Sequence, residues 1–263
     1  MDLDRLRLTL HSVFGDVVTV EMLFDGTAHE MPGIALPGER AVEAWMRLRR
    51  VVEILGAYPL ILGTRADVER HADALRYRKD TPQQVIAASA DVDPNPKAWF
   101  AELVMHERQW HADNGHDPDE ARGFPEVGDW PEEPEESDGF SIPFDINTMD
   151  PHPEVLIALV PTELPWTVPA YLALGGWNDC PPAAKHCAMW KLWGETYGAW
   201  PVGASNDVVE FLVERPPETR EAALELAWGQ YGYCHDIVDQ GTGTLAKLAS
   251  ALLDGQTWFF WWD

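Results

Sequence analysis

The chain has 263 residues, of which 46% are hydrophobic and 11% aromatic, which is ample for one large globular domain or two small ones. Its 44 acidic residues exceed its 19 basic residues and give a formal net charge of −25. Such a charge repels phosphate groups, so nucleic acid and anionic membranes are excluded as partners. It favours a basic protein or a cation, and it is also typical of a surface that only serves solubility.

The cysteine content and the N-terminal sequence indicate the cellular compartment in which the protein is expected. Cys180, Cys187 and Cys234 are odd in number and lie late in the chain, which argues against a secreted disulfide framework. The sequence does not open with a cationic region followed by an apolar run, and no apolar stretch approaches membrane-spanning length. We therefore expect a soluble, cytoplasmic protein.

Residues 1–112 are predicted to form a mixed α/β lobe. β-branched residues over 16–24 predict a strand that leads into a hairpin at Asp25-Gly26. Helical spacing of apolar residues predicts one helix over 37–55, closed by Gly56, before a short buried strand over 58–62. Three more helices are predicted from their capping residues: one from Thr64 to about Leu75, one from Thr81-Pro82 to about Ala90, and one from Asn95-Pro96 to about Asp113.

Residues 113–153 differ in character from both flanks. The stretch over 113–139 holds eleven acids, four prolines and one arginine, with no helical or strand period. We predict an acidic, Pro-rich linker or loop over 113–153. It would be either a solvated connection or an acidic arm that docks on a basic partner.

Residues 154–263 are predicted to form a C-terminal α+β domain. The order β-α-β-β-α-α-β is close to a ferredoxin-like split βαβ sheet with an inserted helix and with helices on one face. Aromatic residues on both sides of the last strand predict that this strand is central or doubly covered. The predicted strands are 155–160, 171–174, 199–202, 208–213 and the terminal strand after 254–255; the predicted helices are 180–197, 219–233 and one from Thr242 or Thr244 to Leu253.

The start of the 180–197 helix is the first candidate for chemistry. Asp179 or Cys180 falls at the N-cap, where the helix dipole favours a carboxylate or a thiolate. A nucleophilic Cys180 would need a base, and His186 and His235 are the available ones. Alternatively, Asp179 caps the helix and Cys180 is a small buried filler. The full candidate pocket consists of Trp177, Asn178, Asp179, Cys180, His186, Cys234, His235 and Asp236.

A zinc site is the second candidate, because thiolate and imidazole ligands suit zinc. The available ligands, however, are two adjacent pairs and one isolated thiol, with no C-x-x-C spacing. There is also no Gly-rich phosphate-binding loop and no G-x-S-x-G elbow. We therefore predict no metal and no cofactor.

Several short motifs of the C-terminal half occur together. They are the Gly-Gly-Trp-Asn-Asp-Cys-Pro segment at 175–181, His186, Tyr-Gly-Ala at 197–199, Arg-Pro-Pro at 215–217, Tyr-Cys at 233–234 followed by Asp-Ile-Val at 236–238, and the Trp-Trp-Asp end at 261–263. Over roughly 155–263 the chain thereby resembles the domain-of-unknown-function family 4253. The resemblance implies a bacterial protein with an unassigned role, and it supplies no catalytic residues.

Two main functions remain open at this point. The acidic charge favours a cytoplasmic interaction protein, such as an immunity-like partner of a basic toxin domain. The alternative is an enzyme or small-molecule binder that uses the Cys/His/Asp pocket, and a structural domain used as a fusion module is a third reading. An enzyme requires the pocket side chains to converge on a concave site, whereas an interaction protein does not.

Overall fold

A central sheet organises the chain, for which a computed structural model describes residues 3–15, 19–25, 27, 29–121, 123–133 and 139–263. The strands in this part are β1 Val20–Leu23, β2 Met31–Leu36, β3 Tyr58–Gly63, β4 Val155–Val160, β5 Ala199–Ala204, β6 Val208–Val213 and β7 Thr257–Trp261. The helices are α1 Leu3–Phe14, α2 Ala41–Arg49, α3 Val52–Leu55, α4 Arg65–Arg76, α5 Pro82–Ser89, α6 Pro96–Asp113, α7 Val168–Leu172, α8 Ala183–Tyr197, α9 Arg220–Tyr233 and α10 Leu245–Leu252. The protein is thus of mixed α and β structure.

The strand order is β1-β2-β4-β3-β5-β6-β7. β3 and β5 are parallel, whereas the other neighbours are antiparallel. Strands from 1–112 and from 154–263 therefore share one sheet. The ferredoxin-like arrangement is not confirmed, because β4 pairs with β2 and β3 rather than with another strand of the C-terminal segment. All six residues of β4 are buried, so both faces are covered there, not one as we expected.

The N-terminal elements follow their local signals closely. The first predicted strand is confirmed over β1, while 16–18 and Gly26 lie outside the described residues. The predicted helix over 37–55 is interrupted, because Val51 has non-helical angles (φ −121°, ψ 18°) between α2 and α3. β-branched residues there weaken helical continuity. Gly56 closes α3 with φ +63°, and α4, α5 and α6 begin after their predicted caps.

One predicted strand of the C-terminal segment is wrong. Residues 171–174 do not form a strand: they lie at the end of α7, which Ala173 terminates in the left-handed conformation (φ +51°). Pro169, in the first turn of α7, suits a helix start, and this signal outweighs the short apolar run after it. α8 begins at Ala183, later than predicted, because Pro182 precedes it in extended conformation (φ −67°, ψ 157°).

The terminal strand β7 lies at the edge of the sheet, so its predicted central position is wrong. Its predicted alternation is nevertheless present. Trp258, Phe260 and Trp262 are buried against α8 and α9, whereas Phe259 on the opposite face is 45% exposed. Aromatic residues on the second face do not mean that this face is covered, because here they border a cavity.

The described part of 113–153 has little regular structure and packs on the C-terminal helices. The carbonyl groups of Glu126 and Val127 accept hydrogen bonds from the N–H groups of Leu245 and Ala246, in the first turn of α10. These N–H groups have no partner within their own helix, so the acidic segment satisfies them. The guanidinium of Arg220 lies 4.6 Å from the ring centre of Trp130, a cation–π contact. Residues 126–130 are therefore fixed against α9 and α10.

Candidate functional site

An open cavity of about 550 Å³ borders β7; we call it the β7 cavity. Its walls come from segment 139–149, the π-helix Ile237–Thr242 with the preceding Asp236, α10 and β7 itself. Most of the lining is apolar. The apolar side chains are Phe140, Phe144, Ile146, Met149, Ile237, Leu248, Ala251, Leu252, Trp258, Phe259 and Trp261. Among these, Ile146 is 76% exposed and Met149 61% exposed, so the mouth of the cavity is an exposed apolar surface.

A buried carboxylate on β6 positions segment 139–149. Glu210 is 1% exposed and accepts hydrogen bonds from the N–H of Ser141 at 2.5 Å and from its hydroxyl at 2.6 Å. Burial raises the pKa of Glu210, while the bonds from Ser141 lower it. The next residue, Ile142, packs on Gly203 of β5, where a Cβ atom would lie 2.8 Å from the Ile142 side chain. The wall of the cavity thus depends on a buried carboxyl group and on a glycine.

Two buried nitrogen atoms belong to residues that line the cavity. Gln230 on α9 is 1% exposed and Trp258 is 2% exposed. Neither the side-chain nitrogen of Gln230 nor the indole nitrogen of Trp258 has a hydrogen-bond partner among the described residues. Buried donors usually have a partner, so these two nitrogen atoms are unused donors in residues that line the cavity.

Acidic residues flank the apolar lining in sequence. Asp145 lies between Phe144 and Ile146, Asp150 follows Met149, and Asp239 lies within the π-helix Ile237–Thr242. The N–H groups of Asn147 and Thr148 bond to the carboxylate of Asp145 and hold its pKa below the usual value. Lys247 is the basic residue of the lining. Acidic residues are therefore more frequent than basic ones among the sequence neighbours of the apolar lining.

The predicted pocket residues converge near the end of β7, in two groups. The first group is buried: Cys180 Sγ lies 3.6 Å from His186 Nε2, and His186 Nδ1 lies 2.5 Å from the hydroxyl of Tyr233. Burial lowers the pKa of His186 to about 3 and raises the pKa of Cys180 well above its usual range. Cys234 is also buried, and its thiol donates to the Trp261 carbonyl at 2.9 Å. Burial raises its pKa as well.

The second group surrounds His235, which is 7% exposed. Its Nε2 lies 2.9 Å from Asp179, and its Nδ1 lies 3.2 Å from Asp236 without hydrogen-bond geometry. The other carboxyl oxygen of Asp236 accepts the N–H of Asp263 at 3.1 Å. Asn178 completes the group, because its side-chain amide donates to the Asp263 carbonyl at 2.8 Å. The group ties two loops to the residues that follow β7.

Of the predicted pocket, Asp236 lines the β7 cavity and the other seven residues do not. Trp177 is half-buried against the core. The predicted residues therefore meet, but most of them meet in packed surroundings rather than on a concave surface. Gln230, Trp258 and segment 139–149 were not predicted as parts of a site. The signal available was the apolar set Phe140, Phe144, Ile146 and Met149 after the acidic stretch.

Two further properties concern the described residues alone. No group of three or more His, Cys, Asp or Glu side chains in this part of the chain is arranged to hold a metal ion. None of the helices in it has both the length and the apolar character to cross a membrane.

Most residues that line the β7 cavity lie within 156–263, the part of the chain that matches a known family model. Neither the curated proteins nor the solved structures contain a match to this sequence. Residues 156–263 match the model of the family described as Domain of unknown function (DUF4253).

Proposed function

We propose that the protein is a cytoplasmic binding protein that holds a basic protein partner at the β7 cavity. One observation carries this proposal: Ile146, Met149 and Phe259 border the cavity and are 76%, 61% and 45% exposed. Exposed apolar side chains that are grouped around a concave surface are typical of protein-interaction sites.

The charge of the chain defines the character of the partner. The net charge is −25, and Asp145, Asp150 and Asp239 are neighbours in sequence of apolar residues that line the cavity. Complementary charge speeds association and excludes acidic competitors, whereas the apolar centre supplies affinity. An immunity-like role, in which the protein neutralises a basic toxin domain, fits both properties.

Catalysis by the Cys180 pair has less support. A nucleophilic cysteine needs an accessible thiolate and a base, but Cys180 is 6% exposed and burial raises the pKa of its thiol. Binding of a small molecule is the second candidate, because Gln230 and Trp258 have unpartnered nitrogen atoms beside a cavity of about 550 Å³.

The test is retention of proteins from native extract on the immobilised full chain, at physiological and at high salt. We expect basic proteins to be retained and to be released as salt rises. Ile146→Glu and Met149→Glu should each abolish retention. Leu8→Glu is the matched control. Leu8 is 71% exposed on α1, and its substitution adds the same single negative charge outside the cavity.

If the wild-type protein retains no basic protein at physiological salt, the proposal is wrong. A ligand that binds only the native state raises the melting temperature. The small-molecule candidate would instead be favoured if the fraction of the extract below about 1 kDa raised the melting temperature of the wild-type protein but not that of Gln230→Leu.

A further inference from the structure

The backbone groups of β7 alternate between β6 and the outside of the sheet, as they do in any antiparallel edge strand. On the inner side, the carbonyl of Gln256 accepts from Val213 at 2.8 Å, and the N–H of Trp262 donates to Asp207 at 3.1 Å. Trp258 and Phe260 lie between Gln256 and Trp262 at a spacing of two residues. Their backbone N–H and C=O groups therefore also point towards β6. The N–H and C=O groups of Thr257, Phe259 and Trp261 therefore point outwards.

Residues 234–236 cover one end of this outer edge. The thiol of Cys234 donates to the carbonyl of Trp261, and Asp236 accepts the N–H of Asp263. Both bonds confirm the outward direction deduced from the alternation. The N–H and C=O of Phe259 and the N–H of Trp261 have no such partner among the described residues. They lie where the strand lines the β7 cavity.

We propose that this free edge of β7 binds an extended peptide segment as an additional strand. Edge strands with unpaired backbone groups are templates for such pairing. The proposal rests on the proposed function, because the segment would belong to the basic partner. Side chains of an added strand alternate between two directions. We infer a segment in which apolar residues, which enter the cavity, alternate with Lys or Arg, which the net charge of −25 attracts.

A proline at position 259 tests the backbone part of the proposal. Phe259→Pro removes the outward N–H without removing a bond to β6, since that N–H faces away from β6, and proline is tolerated on edge strands. Phe259→Val is the matched control, because it also removes the aromatic ring but keeps the N–H. The melting temperature of each variant reports on folding.

The probe is a fluorescent seven-residue peptide of alternating Lys and Val, measured by anisotropy with the full chain. We expect Phe259→Pro to bind it at least tenfold more weakly than Phe259→Val, and both variants to melt cooperatively. Equal binding by the two variants would overturn the proposal. Retention of basic proteins from extract by Phe259→Pro would then show that the proposed function stands without strand addition.

A second measurement does not depend on the folding of a variant. Two peptides of the same sequence are N-methylated, one at the Lys amides and one at the internal Val amides, so that each loses the N–H donors along one edge. We expect one of them to bind the wild-type protein at least tenfold more weakly than the unmethylated peptide. If neither methylation pattern weakens binding, or if the unmethylated peptide does not bind, strand addition at β7 is wrong.

Discussion

The thiol of Cys180 lies 3.6 Å from Nε2 of His186, inside a cluster that Trp190 and Trp262 enclose. This distance fits a thiol–imidazole hydrogen bond. Because burial raises the pKa of the thiol and lowers that of the imidazole, both groups are neutral at pH 7. The pair resembles a catalytic pair in composition, but its surroundings make it a structural contact.

Alkylation of the folded protein tests this assignment of Cys180. Iodoacetamide at pH 7 should label Cys180, Cys187 and Cys234 slowly and without selectivity, since all three are buried and burial raises the pKa of each thiol. Mass spectrometry of the digested protein gives the rates, and the same reaction in guanidinium chloride provides the unhindered reference. Fast, selective labelling of Cys180 in the native state would raise the enzyme hypothesis above the interaction hypothesis.

The buried His186 should make stability depend on pH. Its folded pKa is about 3, below the usual value of 6.5, so the unfolded chain binds a proton more readily. The stabilisation is fully present above pH 6.5 and is lost as the pH falls towards 3. The free energy of unfolding, measured with urea, should fall more steeply in the wild type than in His186→Gln, by up to about 1.4 kcal/mol per pH unit. Parallel slopes for the two proteins would show that His186 titrates normally in the native state.

Removal of the Glu210 carboxylate should release segment 139–149. Glu210→Leu leaves the N–H and hydroxyl of Ser141 without their acceptor, at a cost of about 1–3 kcal/mol for each group that stays buried. Glu210→Gln keeps one acceptor oxygen and is the milder control. Hydrogen exchange of segment 139–149 should accelerate strongly in Glu210→Leu and weakly in Glu210→Gln. Unchanged exchange in Glu210→Leu would mean that other contacts hold this wall of the cavity.

Deletion of 256–263 should abolish folding. The deleted residues include Trp258, Phe260 and Trp262, each at most 2% exposed. One buried aromatic side chain is worth about 3–5 kcal/mol, so three of them approach or exceed the whole stability of a typical domain, about 5–15 kcal/mol. Circular dichroism and thermal melting measure the outcome, with Phe259→Ala as a control on the exposed face. A truncated protein with native spectra and a cooperative transition would contradict the expected role of β7 in the core.

Local signals predicted many of the elements but not their arrangement. Capping residues such as Thr64 and Thr219 place helix starts well, because a cap acts within three residues of its own position. β2 was missed, since Pro32 and Gly33 interrupt its apolar run. The parallel pairing of β3 with β5 joins residues about 140 apart in the sequence. Local patterns of apolar residues do not indicate which distant strands will pair.

The candidate site could be predicted only in part, because local signals identify residues but not their surroundings in the fold. Caps and short motifs drew attention to Cys180 with His186 and to Asp179 with His235, and the fold brings the members of each pair together. Burial, which decides whether Cys180 can react, depends on distant residues such as Trp262 and has no local signal. The β7 cavity arises from the contact between segment 139–149 and a strand more than 100 residues later, so sequence alone did not reveal it.

Hydrogen–deuterium exchange of the full chain, alone and with the basic protein that it retains from extract, tests the binding site most directly. Binding at the β7 cavity should slow exchange in segment 139–149, in 236–242 and in 257–261, while α4 on the other half of the sheet stays unchanged. Slowed exchange confined to α4 or to other elements outside the cavity walls would contradict the proposal that the β7 cavity is where the partner binds.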